Sequence, residues 1–158
     1  MNNIAFNYRL IEETFDIAEK AILDKSNIVQ IIYNDFDCTT FDSNNKATLD
    51  SLAGNAIIYC IWSGKTPADF SPKYIGHAGK LISRQRIRNH LSKKHLATGA
   101  QLDRIKLELE NKNSIGLSYL IIEPDYMRKP LEDWLISKHS GLLEWNQVGK
   151  RKTTHNNV

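Results

Sequence analysis

Two short apolar segments followed by an arginine-rich run lie within residues 57–90. The first segment, residues 57–62, is apolar, β-branched and aromatic, and the second, residues 73–76, is shorter. Such residues favour strands, and the intervening segment 63–72, which contains glycine and proline, favours a long hairpin connection. The run 80–90 contains no acidic residue and three arginines. The pattern predicts an antiparallel hairpin followed by a basic helix over residues 81–95.

Charge is distributed unevenly along the 158-residue chain. Residues 1–50 hold four Lys or Arg and nine Asp or Glu, a net charge of −5, whereas residues 51–158 hold seventeen and nine, a net charge of +8. A surface of positive potential attracts a polyanion. We therefore expect a nucleic-acid site in the second part and an acidic extension in the first.

The composition, with 41% hydrophobic and 25% charged residues, is that of one globular domain with a core of its own. No segment is long and apolar enough to span a membrane, and residues 1–4 do not resemble the start of a secretory signal, so we predict a cytoplasmic protein without a membrane partner. The chain has two cysteines, Cys38 and Cys60. Cys60 lies in an apolar strand, which predicts a buried free thiol, and neither cysteine has the spacing of a zinc site.

The remaining periodicities predict an α+β fold. We expect an acidic extension packed on the core (residues 1–53), a central domain (residues 54–149) and a loose basic tail (residues 150–158). The other predicted helices cover residues 6–25, 48–52, 100–111 and 130–139, the other predicted strands cover 27–33 and 117–123, and residues 34–45 are predicted to form a loop.

This layout contains the groups that phosphodiester hydrolysis requires. Tyr59 and Tyr74 lie on the two strands of the predicted hairpin, and Arg86 and His90 share one face of the following helix. Glu132, near the start of a later helix, can hold a divalent metal that polarises a phosphate. An arginine can neutralise charge growing on that phosphate, and a phenol can act as a base where a nearby cation lowers its pKa.

With these residues in place, the chain resembles the GIY-YIG nucleases, a family that includes phage homing endonucleases, the incision subunit of bacterial excision repair and a few restriction enzymes. Five elements in family order cover about residues 55–148. The matching elements are Ile57-Ile58-Tyr59, with isoleucine where the family usually has glycine, Tyr74-Ile75-Gly76, the pair Arg86 and His90, Glu132, and Asn146 after Trp145.

The resemblance implies a small three-stranded antiparallel sheet flanked by helices, and a single-metal DNA endonuclease. By similarity, Tyr59 is the general base that activates water, and Tyr74 helps to orient that water. Arg86, which the motif pairs with His90, stabilises the pentavalent phosphate. Glu132 is the metal ligand, for Mg²⁺ or Mn²⁺. Asn146 buttresses the site. The expected partner is double-stranded DNA, bound by a monomer or a homodimer.

The chain also departs from the family. The segment between Gly76 and Arg86 is longer than in many relatives, which makes Arg84 an alternative for the arginine role. His77 stands where many members carry lysine or a small residue.

Basic residues around this motif are predicted to contact DNA phosphates. We expect the DNA to approach from the side of Arg84, Arg88 and the C-terminal tail. The predicted contacts are Lys73, Lys80, Arg84, Arg88, Lys93, Lys94 and Lys150.

Each candidate also has an ordinary structural explanation. The tyrosines can be core aromatics, and Arg86 and His90 can form a solvated basic face. Glu132 can be a residue that the helix dipole favours near an N-terminus, and Asn146 can be a turn residue. Two other functions stay open on the sequence. One is a nucleic-acid-binding module that keeps the nuclease scaffold without catalysis, and the other is a partner-binding protein that acts through the acidic N-terminal helix.

Overall fold

The computed structural model of the protein describes residues 9–34, 38–93 and 101–146. The helices are α1 (Arg9–Ile22), α2 (Cys38–Asn44), α3 (Lys46–Leu52), α4 (Ser83–Ser92), α5 (Leu102–Glu110) and α6 (Arg128–Lys138). The strands are β1 (Val29–Ile31), β2 (Ile57–Gly64), β3 (Ser71–Ala78) and β4 (Ser114–Ile121). The fold is α+β, and these strands form one antiparallel sheet in the order β1-β4-β2-β3. The predicted β2–β3 hairpin is confirmed.

The prediction of three strands is wrong, because the acidic extension contributes the fourth. β1 pairs with β4 in antiparallel register, with Val29 opposite Leu117 and Ile31 opposite Ile115. Ile31 is buried in the core beneath the sheet. Without β1, the backbone of β4 would form an open sheet edge, which folded proteins cover or pair. The extension is therefore part of the sheet.

The predicted loop over residues 34–45 is also wrong in part, because α2 forms within it. Polar Ser, Thr and Asn residues favour turns, but Phe41 is buried and anchors the helix in the core. The side chain of Asn45 then accepts a hydrogen bond from Ile32 N (2.9 Å) and donates one to Ile32 O (2.9 Å). This pair of bonds joins the end of α2 to the chain beyond β1.

The central strand β2 is buried on both faces. Its Ile57, Tyr59 and Ile61 belong to a core shared with residues of α2–α5, and its Ile58 and Cys60 belong to a second core shared with α1 and α6. Burial on both sides explains why β2 is continuously apolar and does not alternate. The thiol of Cys60 is free and buried, as expected.

The helix α1 is fastened to α6 on the outer side of the second core. Phe15 contacts Trp134 edge to face, with ring centroids 5.5 Å apart. Lys138 Nζ lies 2.7 Å from the Glu19 carboxylate, which His139 also contacts. No helix in the described ranges has the length and apolarity that crossing a membrane requires.

Candidate active site

The β2–β3 register brings the two predicted catalytic tyrosines together on one face of the sheet. Tyr59 lies opposite Gly76, and Tyr74 is two residues before Gly76 on the same face. Their ring centroids are 6.1 Å apart. The ring of His90, on α4, lies 5.9 Å from that of Tyr59 and 5.5 Å from that of Tyr74. Three rings from three elements thus meet at the edge strand β3.

A glycine is required at position 76 because the Tyr59 ring lies over it. A Cβ atom there would be 2.5 Å from Tyr59 Oη and 2.7 Å from Tyr74 Cε1. Real Cβ atoms essentially never come that close to a neighbour. The glycine of the second motif is therefore explained by close packing between the tyrosines.

Polar atoms without partners are concentrated around these rings. Within the described ranges, no hydrogen-bond partner is present for the buried atoms Tyr59 Oη, Arg86 Nε, Asn89 Oδ1, or either ring nitrogen of His90. A buried polar group that is left unpaired costs about 1–3 kcal/mol, so native proteins rarely retain several together without a functional reason. Ordinary core packing accounts for the burial of Tyr59 but leaves its unpaired hydroxyl unexplained.

A cavity of about 210 Å³ opens on α4 beside these atoms. Its lining comes from one face of the helix, and the residues are Ile82, Gln85, Arg86, Asn89 and His90. Because His90 is fully buried beneath this face, the explanation of Arg86 and His90 as a solvated basic face is wrong for His90. Arg86 contributes a cation to this lining, and the cavity is large enough to admit a small anionic group.

Burial sets the charge states of these side chains. It raises the pKa of Tyr59 well above its usual value, and the neighbouring Tyr74 raises it further, while Arg86 opposes the shift. Neither Arg86 nor Tyr74 bonds the Tyr59 hydroxyl with good geometry. Burial and the Arg86 charge lower the pKa of His90 to about 4, so its imidazole is neutral at pH 7. Arg86 is thus the cation of this cluster.

Arg86, and not Arg84, is the arginine beside the tyrosines. Burial would lower the pKa of Arg86, but the nearby phenols of Tyr59 and Tyr74 and the carboxylate of Glu132 outweigh it and raise that pKa. Arg84 Nε instead lies 3.2 Å from Asp50 Oδ1, at the surface.

Glu132 approaches the same strand edge from α6. Its residue exposure is 9%, and its Oε2 atom lies 3.5 Å from both His77 Nε2 and Lys129 Nζ. Burial raises its pKa, although Lys129 opposes the shift. The helix dipole acts most strongly within the first turn of a helix. Glu132 is the fifth residue of α6 and so lies beyond that turn. The dipole therefore explains its position poorly.

The donor set fits the divalent metal that the resemblance implies. Mg²⁺ is commonly held by one or two carboxylates and keeps several waters, and Glu132 is a buried carboxylate whose contacts with His77 and Lys129 are both long. A bound cation would offset the cost of ionising it. In residues 9–34, 38–93 and 101–146 there is no group of three or more His, Cys, Asp or Glu that could form a closed metal site.

Asn146 holds the outer edge of β3. Its Oδ1 accepts a hydrogen bond from Ile75 N (2.8 Å), and its Nδ2 donates one to Ile75 O (2.7 Å). Just before it, Trp145 N donates to Lys73 O (2.9 Å). Ile75 lies between Tyr74 and Gly76, so Asn146 fixes the backbone that carries the second tyrosine.

Three of the predicted DNA-contacting residues are ion-paired within the protein. Lys73 Nζ lies 3.2 Å from Glu144, and Arg88 Nε lies 2.6 Å from Asp42 Oδ1 on α2. Arg84 is paired with Asp50 on α3, as described above. The expected approach of DNA past Arg84 and Arg88 is therefore opposed by two carboxylates of the extension. Lys80 is exposed and Lys93 half-buried, and Lys94 and Lys150 lie outside the described residues.

Three residues at this edge have no role in the sequence-based prediction. His77 follows Gly76 and contacts Glu132, the ammonium of Lys129 contacts the carboxylates of both Glu132 and Asp133, and Arg128 has a buried Nε without a partner in the described ranges. Arg128 and Lys129 precede Glu132 by four and three positions, and this spacing predicts that they share its helix face.

The chain has no match among protein-family models, curated proteins or solved structures.

Proposed function

We propose that the protein is a metal-dependent DNA endonuclease of the GIY-YIG type. The observation that carries the proposal is the convergence at one strand edge of polar atoms from Tyr59, Arg86 and His90, unpaired within the described residues, with the buried carboxylate of Glu132. Such a set of donors suits a phosphodiester, whose oxygens accept hydrogen bonds from arginine and whose hydrolysis develops negative charge.

In the proposed reaction, Tyr59 as its phenolate accepts a proton from the attacking water. The water oxygen bonds to phosphorus, and the bond from phosphorus to the leaving sugar oxygen breaks, with the electron pair departing on that oxygen. Arg86 donates hydrogen bonds to the phosphate oxygens as their charge grows. Glu132 would hold the divalent cation, which when bound polarises the phosphate and stabilises the leaving oxygen.

Tyr59 needs a lower pKa in the complex than in the free protein. Its burial disfavours the phenolate, whereas the Arg86 guanidinium favours it. A cation held at Glu132 adds positive charge at the same edge and acts in the same direction. His90, neutral at pH 7, offers one ring nitrogen as donor and the other as acceptor, and so suits the orientation of a phenol or a water.

The proposal is tested by incubating plasmid DNA with Mg²⁺ or Mn²⁺ and comparing the wild type with Glu132→Ala and Asp133→Ala. Asp133 is the matched control because it is adjacent, acidic and exposed. We expect Glu132→Ala to abolish nicking and Asp133→Ala to keep most of it. If the wild type and Glu132→Ala have equal activity, or neither cuts duplex, single-stranded or branched DNA or RNA, the proposal is wrong.

A second candidate is a nucleic-acid-binding module without catalysis. The raised pKa values of Tyr59 and Glu132 favour it, because both groups are harder to ionise than in water. This alternative predicts DNA binding that weakens steeply with salt, is unchanged by EDTA and leaves the DNA intact.

A further inference from the structure

A tight turn with an exposed leucine at its centre connects β3, which carries Tyr74, to α4, which carries Arg86. Ile82 N donates a hydrogen bond to Gly79 O (3.1 Å), which places Lys80 and Leu81 at the centre of a four-residue turn. Leu81 is 99% exposed, and Ile82 is 49% exposed. Central turn positions usually carry Gly, Pro, Asn, Asp or Ser, so an exposed leucine is unusual there.

The turn is held firmly at both ends. It begins directly after β3, and α4 starts at Ser83, whose Oγ donates a hydrogen bond to Leu52 O (2.7 Å) in the interior. Arg86 N donates to Ile82 O (2.7 Å) and so fixes the first turn of the helix. Leu81 is therefore presented to solvent from a fixed backbone.

Scattered exposed leucines are ordinary, but the surroundings of Leu81 are specific. Ile82 lines the same cavity as Arg86 and His90, so the turn that carries Leu81 lies next to the proposed phosphate site. Lys80 is exposed beside it, and residues 70–102 contain no acidic residue. A duplex with one phosphate at Arg86 would therefore pass beside the turn that carries Lys80 and Leu81.

We propose that Leu81 is a wedge that enters duplex DNA between adjacent base pairs next to the scissile phosphate. This inference rests on the proposed DNA-binding function. Proteins that bend DNA insert leucine, isoleucine or phenylalanine in this way, and partly unstack a base step. Pyrimidine–purine steps are the easiest to unstack, so the preferred partner is duplex DNA with such a step, thymine–adenine above all, beside the cut.

The test uses permanganate, which oxidises thymines that are no longer stacked. An end-labelled duplex fragment of mixed sequence is bound by the full chain carrying Glu132→Gln and treated with permanganate. The same protein with Leu81→Ala is compared with a control carrying Leu107→Ala, because Leu107 is another exposed leucine (57%), on α5, and does not line the cavity of Arg86. Wild-type cleavage of the same fragment is measured in parallel.

We expect thymines to become reactive in the Glu132→Gln complex, to lose that reactivity with Leu81→Ala and to keep it with Leu107→Ala. Bound DNA whose thymines stay unreactive overturns the wedge, and cleavage by the wild type then leaves the endonuclease proposal intact. Reactive thymines that depend on Leu81, without cleavage, support the wedge and contradict the endonuclease. If the full chain does not bind DNA, both are wrong. If Leu81→Ala instead lowers the sedimentation coefficient of the free protein, Leu81 is a contact between two copies of the chain and the wedge is wrong.

Discussion

Gly76 lies directly opposite Tyr59 across the β2–β3 pair, and the hydroxyl of that tyrosine occupies the space that a side chain at position 76 would need. The two motifs of the candidate site are therefore sterically dependent on each other. Tyr59 can occupy this position beside β3 only because Gly76, the residue opposite, lacks a Cβ atom.

Gly76→Ala should destabilise the protein and disable the site together. The new methyl would be 2.5 Å from Tyr59 Oη and 2.7 Å from Tyr74 Cε1, so both rings must shift. Overpacking of this kind costs about 1–3 kcal/mol. Urea unfolding measures the loss of stability. In Gly141→Ala, the control, no atom of the described residues lies within 4 Å of the new methyl, so its unfolding midpoint should stay at the wild-type value. Equal midpoints for the two variants would contradict the packing argument.

Asn146→Asp should be more damaging than Asn146→Ala. An aspartate keeps the acceptor for Ile75 N but points a second oxygen at Ile75 O, where Asn146 now donates a bond. Removing the two bonds costs about 2 kcal/mol, and the carboxylate adds repulsion between acceptors. The free energy of unfolding at pH 7 measures both changes. Asn55→Ala is the control, because the bonds of Asn55 are exposed and local. A milder effect of Asp than of Ala would refute the two-bond geometry.

His90 should make the protein sensitive to acid. Its pKa is lowered to about 4 in the folded state by burial and by Arg86, against about 6.5 in an unfolded chain. Between these values the unfolded chain binds the proton more readily. The stabilising contribution is therefore complete above pH 6.5 and is lost as the pH falls to 4, and it amounts to about 3 kcal/mol.

The measurement is the urea midpoint of the wild type and of His90→Gln between pH 4 and pH 8. Glu132, whose pKa is raised, has the opposite pH dependence, and His77, whose pKa is lowered, has the same one. Only the difference between the two proteins isolates His90. We expect the wild type to lose more stability than His90→Gln below pH 6.5. Parallel curves would show that the imidazole is not buried in its neutral form.

The ion pair Arg88–Asp42 should contribute more to stability than Arg84–Asp50. The first pair is partly buried, with Arg88 Nε 2.6 Å from one carboxylate oxygen and 2.8 Å from the other, and the second is more exposed with a single 3.2 Å contact. Double-mutant cycles should give about 1 kcal/mol for the first pair and little or no coupling energy for the second. Equal coupling energies would contradict this ranking.

Arg88→Ala and Arg84→Ala should also differ in DNA binding. Arg84 is the more exposed and the more weakly held, so a phosphate can displace Asp50 from it. We expect Arg84→Ala to lower DNA affinity and to reduce the salt dependence by about one counterion. Arg88→Ala should act mainly through stability. Binding measured at several salt concentrations, below the unfolding transition, separates the two effects.

Local patterns in the sequence were enough for the hairpin and the basic helix. Strand β2 is apolar and aromatic, β3 contains the adjacent pair Tyr74 and Ile75, and the face of α4 that carries Arg86 and His90 follows from four-residue spacing. The antiparallel pairing of β2 with β3 requires only neighbouring segments. The residues of these elements that form the candidate site were therefore accessible from the sequence.

Contacts between distant segments were not accessible in this way. Val29 and Leu117 are far apart in the chain, so the pairing that adds β1 to the sheet depends on the whole tertiary arrangement. The pairing of Arg88 with Asp42 depends equally on how α2 packs against α4. Both pairings join the acidic extension to the rest of the chain. The extension was predicted to pack on the core, but its charge and composition did not indicate that it would complete the sheet.

The bonds from Asn146 to Ile75 also restrict how two copies of the protein can associate. β3 is a sheet edge, and an open edge is a template on which another chain can add a strand. At Ile75 both backbone groups are already occupied by the amide of Asn146. A second copy therefore cannot extend the sheet past the tyrosines without displacing that side chain, and the residue that aligns β3 also protects this edge from aggregation.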